Sequence, residues 1–395
     1  MKKIGFVTPW YGENIPGGAE MELRGIATHI AKTGLEVEIL TTCVKDFNSD
    51  WNEDYYDQGE EIVTGILVRR FKVRKRNVQA FNEVNYKLMN NLKITRDEEQ
   101  TFIEEMVNSP DLYEYIKKEQ EQYQALVYIP YMFGTTYYGI KACPEKAIMI
   151  PCFHDESYIY MDIYKQVFES VSGVIYHAKP EMELANRVFD LSNVNQGLLG
   201  EGVHTEWESK PERFKEKYQI NFPYIMYAGR KDAGKNVDLL IQYFAEYKKR
   251  NNNELKLILI GGGQMSIPRN SKKDILDLGF IDMQDKYDAY GAALALCQPS
   301  THESFSLVIM ESWLCNRPVL VHEECEVTKN FAIETRGGLY FDSYFDFEGC
   351  LNYYINHPDI SDQMGKNGCE YVHANFSWDV IVDKYVRFIE KCVNR

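Results

Sequence analysis

The sequence predicts an α/β fold of two doubly wound domains in tandem, each a parallel sheet covered by helices. Three observations predict it. The chain has 395 residues, more than one ordinary core encloses. Short apolar runs alternate with segments of helical period. The alternation stops near residue 200 and starts afresh near residue 224.

In the first half, residues 4–8 read as an apolar strand, and residues 9–18 are rich in turn formers. Residues 19–32 place Leu23, Ile26, Ala27, Ile30 and Ala31 on one helical face. Gly34 then ends the helix in the left-handed conformation, and residues 37–41 form the next strand. A strand over 66–73 and helical segments across 80–120 come next. They are followed by a strand at 125–129, a helix near 136–142, and strands at 146–151 and 173–176. Strands separated by helices imply a parallel sheet with both faces covered.

The second half repeats the scheme. Residues 224–228, 255–260, 278–281, 293–298 and 319–322 read as strands, with an amphipathic helix over 237–249. Residues 200–222, with Gly200, Gly202, Pro211 and many charges, read as a linker. The tail is helical in pattern over 357–375 and 378–393, and its last helix must lie across a surface rather than extend a sheet. Doubly wound sheets bind ligands at the carboxyl ends of their strands, so a site is expected in a cleft between the domains.

Composition bounds the partners. The hydrophobic share of 45% and charged share of 26% are those of a globular protein, and the net charge of −15 argues against nucleic acid. Nine cysteines occur without a Cys-x-x-Cys pair, which removes zinc-finger and dithiol motifs and suits reduced thiols. The chain begins directly on a strand and has no apolar run of membrane-spanning length, so a cytoplasmic location is expected.

Chemistry-bearing residues cluster after predicted strands. Ala228-Gly-Arg-Lys-Asp-Ala-Gly-Lys-Asn236 places Arg230 and Lys235 at a strand's carboxyl end, where they suit phosphate oxygens or are merely solvated. Leu257-Ile-Leu-Ile-Gly-Gly-Gly263 ends a strand in glycines that permit close backbone approach, but lacks the dinucleotide spacing. Glu303-Ser-Phe-Ser-Leu-Val-Ile-Met-Glu311 opens a helix whose free N–H groups suit a diphosphate, with Ser304 or Ser306 as its cap. Glu311 lies in an apolar helix with no cation of its own, so it needs a partner: a ribose diol, or a nearby Lys or Arg. In the first half, Gly17 and Gly18 of Pro16-Gly-Gly-Ala-Glu20 expose backbone N–H groups at a helix start, and His154 follows a strand at the cleft edge.

In this order, GGAE, FHDE, GVH, GRKDAGKN, LILIGGG, LGFID and QPSTHESFSLVIMESWLCNRPVL resemble family 4 of the retaining glycosyltransferases, which have the GT-B fold. The resemblance implies an acceptor-binding domain over 1–200, with 378–395 packing back on it, and a donor-binding domain over 201–377. It implies that Arg230 and Lys235 bind the donor diphosphate, that Glu311 takes the ribose hydroxyls, and that Glu303 with the backbone of Phe305, Ser306 and Leu307 holds sugar and phosphate. Gly279, Phe280 and Ile281 fall where the family meets the nucleobase. Gly17 and Gly18 close over the phosphates, and His154 lines the sugar pocket. The implied reaction moves a sugar from a UDP- or GDP-linked donor to a glycan or lipid-linked acceptor, without metal or cofactor. The leaving diphosphate acts as base from the attacked face. Ser304 and Ser306 replace residues that are often Gly or Pro in the family, and Asn316 stands where glycine often ends the helix.

The acceptor side is less marked. Tyr131 and Phe133 lie in an aromatic stretch suited to stacking on sugar rings or to a core. Residues 69–76 hold six basic side chains in eight positions, and alternation puts Arg70, Lys72, Arg74 and Arg76 on one face. That face is either solvated or a contact with anionic lipid at the inner membrane surface. Rival readings are a nucleotide-sugar epimerase or phosphorylase on the same scaffold, and a non-catalytic nucleotide-sugar-binding partner.

Overall fold

Strands in both halves are apolar on both faces, so they are stable only with helices packed on each side. The computed structural model, which describes residues 2–15 and 17–393, forms two units of this kind. Residues 1–202 and 381–395 group as one unit and 203–380 as the other. Pro16 of the GGAE loop, and residues 1, 394 and 395 at the ends of the expected first domain, lie outside the described residues.

Unit 1 contains β1 (Lys3–Val7), β2 (Val37–Thr42), β3 (Gly59–Val63), β4 (Ile66–Phe71), β5 (Tyr123–Tyr128), β6 (Ala147–Met149), β7 (Gly173–Tyr176) and β8 (Asn195–Leu198). They hydrogen-bond in the order β3-β4-β2-β1-β5-β6-β7-β8, so the strand order reverses between β1 and β5. Only β3 runs antiparallel, which corrects the expectation of a wholly parallel sheet. It is an exposed edge ribbon whose Glu60 and Glu61 pair with Arg69 and Arg70 of β4.

Unit 2 contains β9 (Tyr224–Ala228), β10 (Lys256–Ile260), β11 (Ile275–Gly279), β12 (Leu296–Gln298), β13 (Val319–His322) and β14 (Gly338–Phe341), all parallel in the order β11-β10-β9-β12-β13-β14. Its reversal falls between β9 and β12. The strand expected at 278–281 lies three residues earlier, because Gly279 turns the chain out of the sheet at φ +66°. The expected linker is also corrected: Pro211–Tyr218 is a helix of unit 2. Its Phe214 is buried, and Arg213 and Lys217 pair with Asp288 and Asp285 at 2.7 and 2.6 Å.

The last helix, Trp378–Val393, is strongly amphipathic, and from Ile381 onward it belongs to unit 1. Gly173 and Gly197 let it come close: a Cβ on either would collide with the Phe388 ring. All nine cysteines are free thiols. No helix among the described residues is long and apolar enough to cross a membrane.

Candidate functional site

The carboxyl edge of the unit 2 sheet is a floor made of backbone. After β9, Gly229 stands at φ +144°; after β10, Gly261 and Gly263 stand at +118° and +93°. The N–H of Gly229 donates to the Ile260 carbonyl at 3.0 Å, and that of Lys231 to Gly262 at 2.7 Å. The N–H of Gly261 donates to Gly279 at 2.8 Å. A Cβ on Gly261 would strike the Gly229 backbone, and one on Gly263 the Lys231 backbone. Glycine is required here by close approach as well as by φ.

At the β9–β12 reversal the two motifs meet. Lys235 Nζ is 2.6 Å from Glu303 Oε1, which also accepts from Gln298 Nε2 at 3.1 Å. Asn236 Nδ2 donates to the Pro299 carbonyl at 3.1 Å and ties the loops together. Arg230 is two-thirds exposed, with Nε 3.5 Å from Asp232. One cation is thus braced and the other extends into solvent. Beyond β11, Phe280 is 82% exposed beside the turn at Gly279, and Ile281 is half-buried.

Helix Leu307–Leu314 starts after Ser306, whose φ of +81° explains why glycine suits this position. Neither serine caps it as expected: Ser306 makes no capping bond, and its buried hydroxyl has no hydrogen-bond partner among the described residues. Phe305 is buried against Phe331 and Phe376. Left-handed backbone costs an L-residue about 1–2 kcal/mol. Ser306→Gly is therefore expected to raise unfolding stability by about 1 kcal/mol, read as a higher melting temperature. Asn316 ends the same helix at φ +56°, in the role foreseen for it.

Glu311 meets a nearby cation, one of the two partners expected for it. Its helix carries no cation, but Lys286 of helix Met283–Ala292 reaches Oε1 at 2.6 Å, and Tyr290 donates to Oε2 at 2.9 Å. Burial, and then the Glu311 charge, hold the Tyr290 phenol well above its ordinary range, so it stays a donor. Lys286 and Tyr290 were missed by motif reading, though their spacing of four puts them on one helical face.

The unit 1 candidates have different surroundings. Gly17 is at φ +140°, where a Cβ would strike the Glu20 carboxylate; Glu20 in turn accepts from Trp10 Nε1 at 2.6 Å. Gly18 begins the helix with open space where a Cβ would be. His154 is partly exposed, its Nδ1 3.7 Å from Glu156. Tyr131 and Phe133 are corrected: they are 1% and 4% exposed. Tyr131 packs among Phe153, Tyr164 and Phe168, and Phe133 edge-on to Trp10 at 5.0 Å. Neither ring is available to a sugar.

The basic run is corrected as well. β4 ends at Phe71, and the cations beyond it do not share a solvated face. Arg70 is buried against Glu61, the Tyr11 carbonyl and the Tyr56 ring; Arg74 binds Glu105 at 3.0 Å; Arg76 lies over Trp51 and Phe81. Of the four, Lys72 alone is exposed, so a lipid-facing stripe is not formed.

Residues 208–371, which contain the glycine loops, Arg230, Lys235, Glu303 and Glu311, match the family model described as glycosyl transferases group 1. The match covers this segment alone. Across 197 residues the chain is 25% identical to a 4-alpha-N-acetylgalactosaminyltransferase of Campylobacter jejuni that acts on N-acetylgalactosamine-N,N'-diacetylbacillosaminyl-diphospho-undecaprenol, covering 48% of this chain and 52% of that protein. The chain spans between 38% and 52% of the length of the curated relatives it matches. The fold is the GT-B fold of solved glycosyltransferases. Sucrose-phosphate synthase of Thermosynechococcus elongatus superposes with TM-score 0.72 at 16% identity, over 99% of both chains. The HepE protein of Anabaena, solved with UDP-glucose, superposes with TM-score 0.68 at 13% identity, over 99% of this chain and 100% of that one. Within the matched segment, Lys235 pairs with Glu303 and Lys286 with Glu311, each at 2.6 Å.

Proposed function

We propose that the chain moves a sugar from a nucleoside-diphosphate donor to a glycan or lipid-linked acceptor with retention of anomeric configuration. The observation that carries this is the Lys235–Glu303 pair at the β9–β12 reversal, inside the matched family segment and beside the glycine floor. Unit 2 is read as the donor-binding half and unit 1 as the acceptor-binding half. The floor admits a diphosphate against backbone, while Arg230 and Lys235 stabilise the charge that grows on it as the glycosidic bond breaks. The acceptor oxygen bonds to the anomeric carbon from the face the diphosphate leaves, and its proton passes to a diphosphate oxygen. No metal or cofactor is assigned a step.

Glu311 holds Lys286 and Tyr290 yet keeps unused lone pairs, since a carboxylate offers about four acceptor positions; a ribose diol is their natural donor. Glu303 and the backbone of Phe305, Ser306 and Leu307 hold the sugar and its phosphate, and Gly279, Phe280 and Ile281 meet the base. Gly17, Gly18 and His154 are the unit 1 groups assigned to phosphate and sugar. The UDP-glucose complex of HepE favours a uridine donor among the alternatives.

A melting-temperature panel of UDP, GDP, CDP and their sugars tests the donor. At a hundredfold excess over Kd the right nucleotide stabilises the fold by about 2.7 kcal/mol. Formation of an α-linked glycoside from an α-linked donor, followed by NMR, is the expected product. A free epimer or a sugar phosphate in its place would overturn transfer.

A further inference from the structure

Three ligand-type side chains converge inside unit 1, and the transfer reading uses none of them. Glu22 lies in helix Gly18–Lys32, Cys152 follows β6, and His177 directly follows β7. A carboxylate oxygen, the thiol sulfur and an imidazole nitrogen from these residues lie within 4.8 Å of one another. His177 Nε2 is 2.6 Å from Glu22 Oε1, and Tyr385 of the last helix donates to the same oxygen at 3.2 Å.

A second observation concerns the far side of the ring. His177 Nδ1 faces Glu181 Oε2 at 3.6 Å, and Glu181 is fixed by the backbone N–H groups of Phe153 and His177, both at 2.8 Å. A carboxylate behind the imidazole, itself held by hydrogen bonds, is the arrangement that orients metal-binding histidines.

Electrostatics point the same way. Glu22, Glu181 and Glu201 are all less than a tenth exposed. Burial first, and then Glu22, Glu181, Glu201 and Glu20, push the Cys152 thiol well above its ordinary value. The negative field that disfavours a bare thiolate is one that draws in a cation. Cys152 is also held at φ +56°, a conformation that a non-glycine residue keeps only where its surroundings enforce it.

We propose that Glu22, Cys152 and His177 form a binding site for a divalent zinc-type cation in unit 1, with water in the fourth position. Thiolate with imidazole selects zinc over magnesium or calcium. Tetrahedral bonds of about 2.0–2.3 Å place ligand atoms about 3.3–3.8 Å apart, so the cluster closes by about 1 Å around the ion. Binding releases the Cys152 thiol proton and the proton shared by His177 and Glu22, two per ion, with no change of oxidation state. Cys152 is only partly buried, which gives the ion an entry path. The pattern Glu22…Cys152…His177 is too widely spaced to register as a sequence motif.

The full chain, stripped of metal and titrated with Co²⁺ as the probe, is expected to bind one equivalent and develop a thiolate-to-cobalt charge-transfer absorption that zinc displaces. Cys152→Ser is expected to lose that absorption, and Glu181→Gln to weaken binding about ten- to hundredfold. Alkylation of the unmutated chain removes any dependence on how the variants fold. Zn²⁺ is expected to slow labelling of Cys152 sharply while the partly exposed Cys350 and Cys369 keep their rates. Absence of the band, its persistence in Cys152→Ser, or equal protection of Cys350 and Cys369 would overturn the site.

Discussion

Lys235→Ala is expected to lower kcat/KM for the proposed sugar transfer by about 10²- to 10³-fold, because on that reading it deletes a preorganised charge facing the leaving diphosphate. The loss corresponds to about 2.7–4 kcal/mol of transition-state stabilisation. Lys235 is held by Glu303 at 2.6 Å and by an N–H bond from its own backbone to Asp232 at 3.1 Å, so its position is set before a ligand arrives. Arg230, two-thirds exposed and paired only loosely with Asp232, contributes less until a donor orders it. The side chain of Lys235 is a quarter exposed, so its removal is expected to shift the melting temperature little. Steady-state rates with the donor found in the nucleotide panel decide the matter. A Lys235→Ala rate within about threefold of the parent would remove Lys235 from the reaction.

Trp313→Ala is expected to destabilise unit 2 by about 3–5 kcal/mol, the range for deleting a fully buried large aromatic. Trp313 is completely buried, and its indole N–H donates to the Gly337 carbonyl at 2.9 Å. Gly368 and Gly337 have no side chain because the ring occupies the place where a Cβ would project. The helix it anchors, Leu307–Leu314, has only eight residues and also carries Glu311, so donor affinity is expected to fall with stability. Denaturant unfolding followed by Trp fluorescence, with nucleotide binding measured on the folded fraction, separates the two effects. Trp313→Phe is expected to retain most of the packing and lose mainly the hydrogen bond, about 1 kcal/mol. An unchanged unfolding midpoint in Trp313→Ala would refute this packing role.

What the sequence conveyed follows from where each segment lies. Tyr224–Ala228, Gly173–Tyr176 and Val319–His322 are buried on both faces, so they read as unbroken apolar runs and their bounds agree with expectation. Trp378–Val393 was equally legible from its strong amphipathic period. Gly59–Val63 was not, because an exposed edge strand has no apolar face to betray it, and its glutamates resemble a loop. Pro211–Tyr218 was hidden by its charges, which serve ion pairs with Asp285 and Asp288 far along the chain. Lys286 and Glu311 illustrate the same limit: a helix taken alone shows its missing cation but not the neighbour that supplies it. Tyr131 and Phe133 show the converse, since aromatic density marks a core as readily as a sugar platform. Local pattern encodes elements; pair partners belong to the tertiary fold.

The glycine floor of unit 2 has a consequence for how this scaffold diversifies. Its three loops are laminated by main-chain bonds between Gly229 and Ile260, Lys231 and Gly262, and Gly261 and Gly279. Those three bonds are made by main chain alone, while the Asp277 carboxylate, paired with the buried Lys231, also accepts from the Gly279 N–H at 2.9 Å. Under the proposed donor reading, substitutions at its rim, such as at the exposed Phe280, would change which base is bound while leaving the main-chain bonds of the plate in place. Substitutions at Gly261 or Gly263 have no such latitude, since any side chain would prise the plate apart. Under the proposed donor reading, the architecture would separate a fixed main-chain socket from a replaceable rim.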